Sequence, residues 1–160
     1  MPTLAQMLTG EETSDMARYA LERIPGSAAD EALRNALRKT KGQVKVGIVN
    51  SLGQRRDKKA VRALGRLTGN RNETLAAAAA AALGQIADSR ATEALAKAKD
   101  KTSGKLQMVV LDAYLKCADQ LVAQGKKPQA LAIYKELQKQ EMPKPIRTAA
   151  LRGMINVTKK

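Results

Sequence analysis

A repeat of 31 residues is the feature that most restricts how this chain can fold. The segment Leu52-Gly53-Gln54 recurs 31 residues later as Leu83-Gly84-Gln85. The pairs Ala32-Leu33, Ala63-Leu64 and Ala94-Leu95 follow the same 31-residue period. A period of this length is typical of a solenoid, in which each unit buries its apolar face only by stacking on its neighbours.

Each unit has the pattern of two helices. In the second unit, Val44, Ile48 and Leu52 are spaced by four residues and therefore share one helix face. Asp57 is suited to cap the start of the next helix, which is predicted to end near Gly69. Ala and Leu, which dominate the apolar residues, both favour helix. The repeat predicts one all-α domain over 1–160, with units at about 12–41, 42–72, 73–104 and 105–142 and a partial unit at 143–160.

The composition excludes several kinds of site. The chain has no His, no Phe and no Trp, and its single Cys is Cys117. A Ser-His-Asp triad, a His-ligated metal and a disulfide within the chain are therefore excluded. We expect a non-enzymatic protein with no catalytic residue, no cofactor and no metal. Cys117 and the three tyrosines, Tyr19, Tyr114 and Tyr134, are expected to be packing residues.

The pattern Ala-Leu-Gly-x-x-x-Asp-x-x-Ala-x-x-Ala-Leu resembles HEAT-like repeats, in particular the short bacterial kind also found in phycobilisome lyases. The third unit fits this pattern in full, with Ala82-Leu83-Gly84, Asp88, Ala91 and Ala94-Leu95. The second unit fits with Ser51 in place of the first Ala. The resemblance implies a right-handed α-α superhelix, a HEAT-like or armadillo-type solenoid, with about four two-helix repeats and partial end repeats. It implies little about function, because one fold serves many roles.

The two ends of the chain stop within a repeat. We therefore expect a segment of a larger bacterial HEAT-repeat protein. Residues 1–10 lack the basic and apolar regions of a signal peptide, so a cytoplasmic location follows only if Met1 is the natural start. The longest apolar run, from Leu75 to Leu83, is shorter than the roughly 20 residues of a membrane span, and we expect no membrane contact.

The net charge of +14 is concentrated in two stretches. Residues 32–72 contain 12 Lys and Arg against one acidic residue, and residues 105–160 contain 11 against four. In HEAT repeats the second helices line the concave side, and the 31-residue period aligns their equivalent positions. This alignment predicts a basic patch on units two and three. Its members are Lys58, Lys59, Arg62, Arg66, Arg90 and Lys97.

The predicted patch has more than one interpretation. It favours a protein-interaction or scaffold module whose basic concave surface binds an acidic protein partner. Phosphate contacts with nucleic acid are an alternative and would be sensitive to salt, although almost no aromatic residues are present to stack on bases. An accessory domain of a larger enzyme is a third interpretation. Exposed Lys and Arg also serve simply to keep helices soluble.

Arg55 and Arg56 precede Asp57 in the turn between the two helices of unit two. HEAT repeats often carry Asp and Arg in this turn as a ladder between units. The resemblance therefore implies a structural role for these residues rather than a functional site.

Overall fold

Ten α-helices follow one another in the part of the chain that the structure, a computed structural model, describes, residues 2–159. They are α1 (Pro2–Met7), α2 (Ser14–Arg23), α3 (Ser27–Lys39), α4 (Gly42–Gln54), α5 (Val61–Leu67), α6 (Glu73–Ile86), α7 (Ser89–Lys99), α8 (Gly104–Ala123), α9 (Lys127–Leu137) and α10 (Lys144–Thr158). A short 3₁₀ turn, Lys58–Ala60, leads directly into α5. These residues form no strand, and the all-α prediction is confirmed.

The helices pack in two rows. Helices α2, α4, α6, α8 and α10 contact one another in that order and form the first row. The remaining helices alternate with them along the chain and form the second row, in which α5 packs against α7. This neighbour-to-neighbour packing confirms the predicted HEAT-like solenoid. The limits proposed for the individual units stay a prediction.

Gly53 and Gly84 explain why the Leu-Gly-Gln segment recurs. A Cβ atom at Gly53 would lie 2.7 Å from Cα of Ala82 in the next helix of the row. A Cβ atom at Gly84 would lie 3.0 Å from Cα of Ala113, again in the next helix. Glycine therefore allows α4, α6 and α8 to pack with their backbones almost in contact. The repeat in the sequence corresponds to a repeated helix–helix contact.

Asp57 and Asp88 start the second helices of units two and three. Their Oδ1 atoms accept hydrogen bonds from backbone N–H groups of the following turn, at 3.0 and 2.7 Å. The residues before them, Arg56 and Ala87, adopt left-handed backbone conformations with φ of 52° and 48°. The left-handed residue reverses the chain, and the aspartate then satisfies an N–H that has no partner within the helix. The cap predicted at Asp57 is confirmed.

Arg55 connects unit two to unit one. Its Nη1 donates to the carbonyl oxygens of Leu21 and Ile24 at 2.6 and 2.8 Å, and its guanidinium also pairs with Asp30. The last carbonyls of a helix lack partners within it, and a cation beside them is favourable. The structural role implied for this turn is therefore confirmed for Arg55. The side chain of Arg56 is exposed.

Three of the four predicted packing residues are buried. Cys117, Tyr114 and Tyr134 are 0%, 5% and 1% exposed. The prediction for Tyr19 is wrong, because this side chain is 61% exposed. In residues 2–159 no helix precedes α2 in the first row, and the Tyr19 ring is instead covered by the guanidinium of Arg23, 3.5 Å from the ring centre.

Candidate binding clefts

The six residues of the predicted patch line one open cleft between α5 and α7. This cleft has a volume of about 700 Å³. We call it the basic cleft, and the predicted residues that line it are Lys58, Lys59, Arg62, Arg66, Arg90 and Lys97. Sequence reasoning missed Lys101, which also lines the cleft and lies four residues after Lys97. In the part of the chain that the structure describes, Glu93 is the only acidic residue in the lining.

Helical spacing brings these side chains together. Arg62 and Arg66 are four residues apart on α5 and therefore share one face. Arg90 and Lys97 are two helical turns apart on α7. Because α5 and α7 pack side by side, the two basic faces flank the same cleft. The 3₁₀ turn before α5 adds two lysines at one end.

Small residues form the bottom of the basic cleft. Gly65, Ala94 and Ala98 line it between the longer basic side chains. A Cβ atom at Gly65 would lie 3.3 Å from the Cβ of Ala94, so the two helices are close at this point. The cleft therefore combines a rim of positive charge with a narrow floor that has little polar character.

The basic residues of this chain fall into two groups. Arg34, Arg55 and Lys99 have side chains that are 19%, 9% and 9% exposed, and each pairs with a carboxylate. The six predicted patch residues are all exposed. Within residues 2–159, none of the six forms an ion pair of 4.0 Å or less. Their charges therefore face solvent and are not spent on holding units together.

A second cleft, with a volume of about 750 Å³, adjoins the basic cleft and shares Lys58 and Arg90 with it. It opens where α7 and α9 diverge, next to the end of α8. The buried side chains of Ile86, Leu121 and Ile133 lie at its base. We call it the second cleft. Its lining is more apolar than its position beside the basic cleft would indicate.

A buried cluster links α7, α8 and α9 close to these clefts. Lys99 Nζ lies 2.6 Å from Asp100 and 2.9 Å from Glu136, and the Tyr114 hydroxyl donates to Glu136 at 3.1 Å. Burial lowers the pKa of Lys99, but hydrogen bonds and charges from the two carboxylates outweigh it and raise that pKa. Burial, reinforced by Glu136, raises the pKa of Tyr114. Both groups stay protonated at neutral pH, so the cluster serves as a structural link.

Other kinds of site were sought in the same residues. Across residues 2–159, no group of three or more Cys, Asp or Glu side chains is placed to hold a metal ion. None of the helices described there combines the length and the hydrophobicity that crossing a membrane requires. Cys117 is a free, buried thiol, and burial raises its pKa to about 11.

The two rows of helices define an α-solenoid repeat protein. The sequence model for HEAT repeats matches residues 29–114, more than half of the 160 residues. The chain therefore belongs to the HEAT-repeat family. The match is to HEAT repeats in general and does not distinguish the phycobilisome-lyase kind. No curated protein gives a significant match to the chain. HEAT repeats generally serve as protein-interaction scaffolds and are typically non-catalytic.

Proposed function

We propose that this protein is a non-enzymatic interaction module that binds an acidic segment of a partner protein in the basic cleft. The observation that carries the proposal is the sorting of the basic residues. Arg34 and Arg55 are paired with carboxylates between units. The cations of the basic cleft are exposed and point toward a shared space.

The physical basis is a concentration of positive charge over a surface of low polarity. Seven cationic residues and one carboxylate line the basic cleft. Clefts lined by one sign of charge focus the electric field and speed the association of oppositely charged partners. Arg62 and Arg66 each offer a planar guanidinium that can bind a carboxylate through two parallel hydrogen bonds. The packed α5 and α7 hold these groups in place before binding, which reduces the entropy lost on association.

The same cations also suit phosphate groups, so nucleic acid is the alternative ligand. Two features of the cleft favour a protein. No aromatic residue is among the described lining residues, and aromatic side chains are the usual platform for unpaired bases. The floor around Gly65 and Ala94 offers apolar contact to side chains, which a sugar-phosphate backbone does not need. An accessory role within a larger enzyme would use the same surface to hold a neighbouring domain.

The proposal is tested by fluorescence anisotropy with a labelled peptide of alternating Glu and Ser. The wild-type protein should bind the peptide at low salt and lose affinity as salt is added, because exposed charges are screened. The double variant R62E/R66E should bind at least about tenfold more weakly, since each lost charged hydrogen bond is worth roughly 1.5–3 kcal/mol. A short duplex DNA of mixed sequence is the second probe.

The matched control is K144E/R152E on α10. It makes the same change in net charge, and both residues are exposed and lie outside the two clefts. It should retain affinity close to that of the wild type. Equal losses in the two variants would show that only net charge matters and would overturn the proposal. Binding of DNA with no binding of the peptide would overturn it in favour of the phosphate alternative.

A further inference from the structure

We infer that the two clefts form one continuous site and that its ligand is an acidic peptide carrying an apolar anchor residue. The inference rests on the proposed function and adds a specific recognition element to it. Lys58 and Arg90 line both clefts, so a peptide whose carboxylates contact them lies at the entrance to the second cleft.

The second cleft is built to accept an apolar side chain. Its base is formed by Ile86, Leu121 and Ile133, which are 6%, 8% and 6% exposed. The small side chains of Ala87 and Ala132 also line it and leave space above this base. Filling such a space removes apolar surface from water on both the ligand and the protein, which is favourable in proportion to the area covered.

The charges around the second cleft favour a ligand that is negative next to its anchor. Lys58, Arg90 and Lys126 are three cations in its lining, and all three are exposed. Asp88 is the one acidic residue there among those the structure describes, and its Oδ1 is engaged by a backbone N–H of α7. An anchor flanked by Asp or Glu therefore places opposite charges at the rim and an apolar group at the base.

The arrangement follows from the different spacing of the second helices. Helices α5 and α7 pack together and leave a shallow cleft rimmed by charge. Helices α7 and α9 diverge and expose side chains that would otherwise contact each other. A single extended peptide can use both features in sequence, with its acidic residues over the basic cleft and its apolar residue in the second cleft.

The test compares two labelled peptides with the same acidic residues. One carries a Leu at the end of the acidic stretch, and the other carries a Ser at that position. The wild-type protein should prefer the Leu peptide by about tenfold, the effect expected for burying most of one Leu side chain. The variant A132Q fills the second cleft from an exposed position of α9 with an uncharged residue that favours helix.

A132Q should abolish the preference for Leu and leave the affinity for the Ser peptide unchanged. The control A149Q makes the same change at an exposed position of α10 outside both clefts and should keep the preference. Circular dichroism of both variants checks that the fold is retained. If the wild-type protein binds the two peptides equally, the anchor is refuted and the proposed function stands. If neither peptide binds, or only DNA binds, both are refuted.

Discussion

Arg34 donates a hydrogen bond from Nη1 to Oδ2 of Asp57 at 2.6 Å, across the boundary between the first two helix pairs. The other carboxylate oxygen of Asp57 accepts the backbone N–H of Lys59 at 3.0 Å. One buried side chain therefore starts a helix and holds two neighbouring units together. Asp88, at the equivalent position of the next unit, caps its helix but forms no ion pair with another residue in 2–159.

The variant D57A should be less stable than D88A. Loss of either cap costs roughly 0.5–2 kcal/mol of unfolding free energy. D57A also leaves the largely buried Arg34 without its partner, which raises the total to about 3–5 kcal/mol. Urea denaturation followed by circular dichroism measures both values. Equal losses in the two variants would show that the Arg34–Asp57 pair contributes nothing beyond the cap.

The variant G53A should destabilise the first row of helices. The new Cβ would lie 2.7 Å from Cα of Ala82, and backbone cannot move aside as a flexible side chain can. Overpacking of this kind costs about 1–3 kcal/mol, which exceeds the gain of roughly 1 kcal/mol from replacing Gly by Ala in a helix. Thermal unfolding should give a lower midpoint than that of the wild type.

Gly69 supplies the control for this substitution. The nearest atom to a Cβ at Gly69 is the carbonyl oxygen of Arg66, at 3.9 Å, which is ordinary contact. G69A should therefore change stability by no more than about 0.5 kcal/mol. A stability of G53A equal to that of G69A would mean that α4 and α6 do not pack as closely as described.

The stability of the protein should fall in alkaline solution. Burial raises the pKa of Cys117, Tyr114 and Tyr134, and the carboxylates of Asp100 and Glu136 raise that of Lys99 against the opposing effect of burial. A raised pKa means that the folded state keeps its proton at a pH where the unfolded chain, with ordinary values of 9.0 to 10.5, loses it. Stability is therefore full below about pH 9 and decreases as the pH rises, by up to about 1.4 kcal/mol per unit for each group.

The variant Y114F isolates one contribution to this fall. At neutral pH it should cost about 1 kcal/mol, because the hydrogen bond to Glu136 is lost. Above pH 10 its stability should fall less steeply than that of the wild type, since one group that ionises preferentially in the unfolded chain is gone. Y19F, at an exposed tyrosine, serves as the control and should follow the wild-type curve. Parallel curves for Y114F and the wild type would contradict the assignment.

The 31-residue period was enough to predict the fold and to bring the basic residues together. Equivalent positions of stacked units lie side by side, so Arg62 and Lys97 could be placed near each other without any knowledge of distances. Their convergence on one cleft depends only on the helix period and on the stacking order. Lys101 was missed because it lies just beyond the end of α7, where helical spacing no longer applies.

The pairing of charges and the second cleft could not be predicted from the sequence. Nothing in the order of residues shows that Arg34 contacts Asp57 while Arg62 faces solvent, because the partners belong to different units. The second cleft arises from the divergence of α7 and α9, which depends on how whole helices pack. One signal was present: Ile86 occupies the position, 31 residues on, where unit two has the unit-linking Arg55.

The near contact of α4, α6 and α8 at Gly53 and Gly84 leaves the first row almost no room to shorten. Bending of the stack must therefore be taken up mainly on the opposite side, by widening or narrowing the gaps between α5, α7 and α9. Both clefts lie in those gaps. The first row thus acts as an inextensible spine, and a ligand that fills the clefts would act as a splint and stiffen the whole molecule.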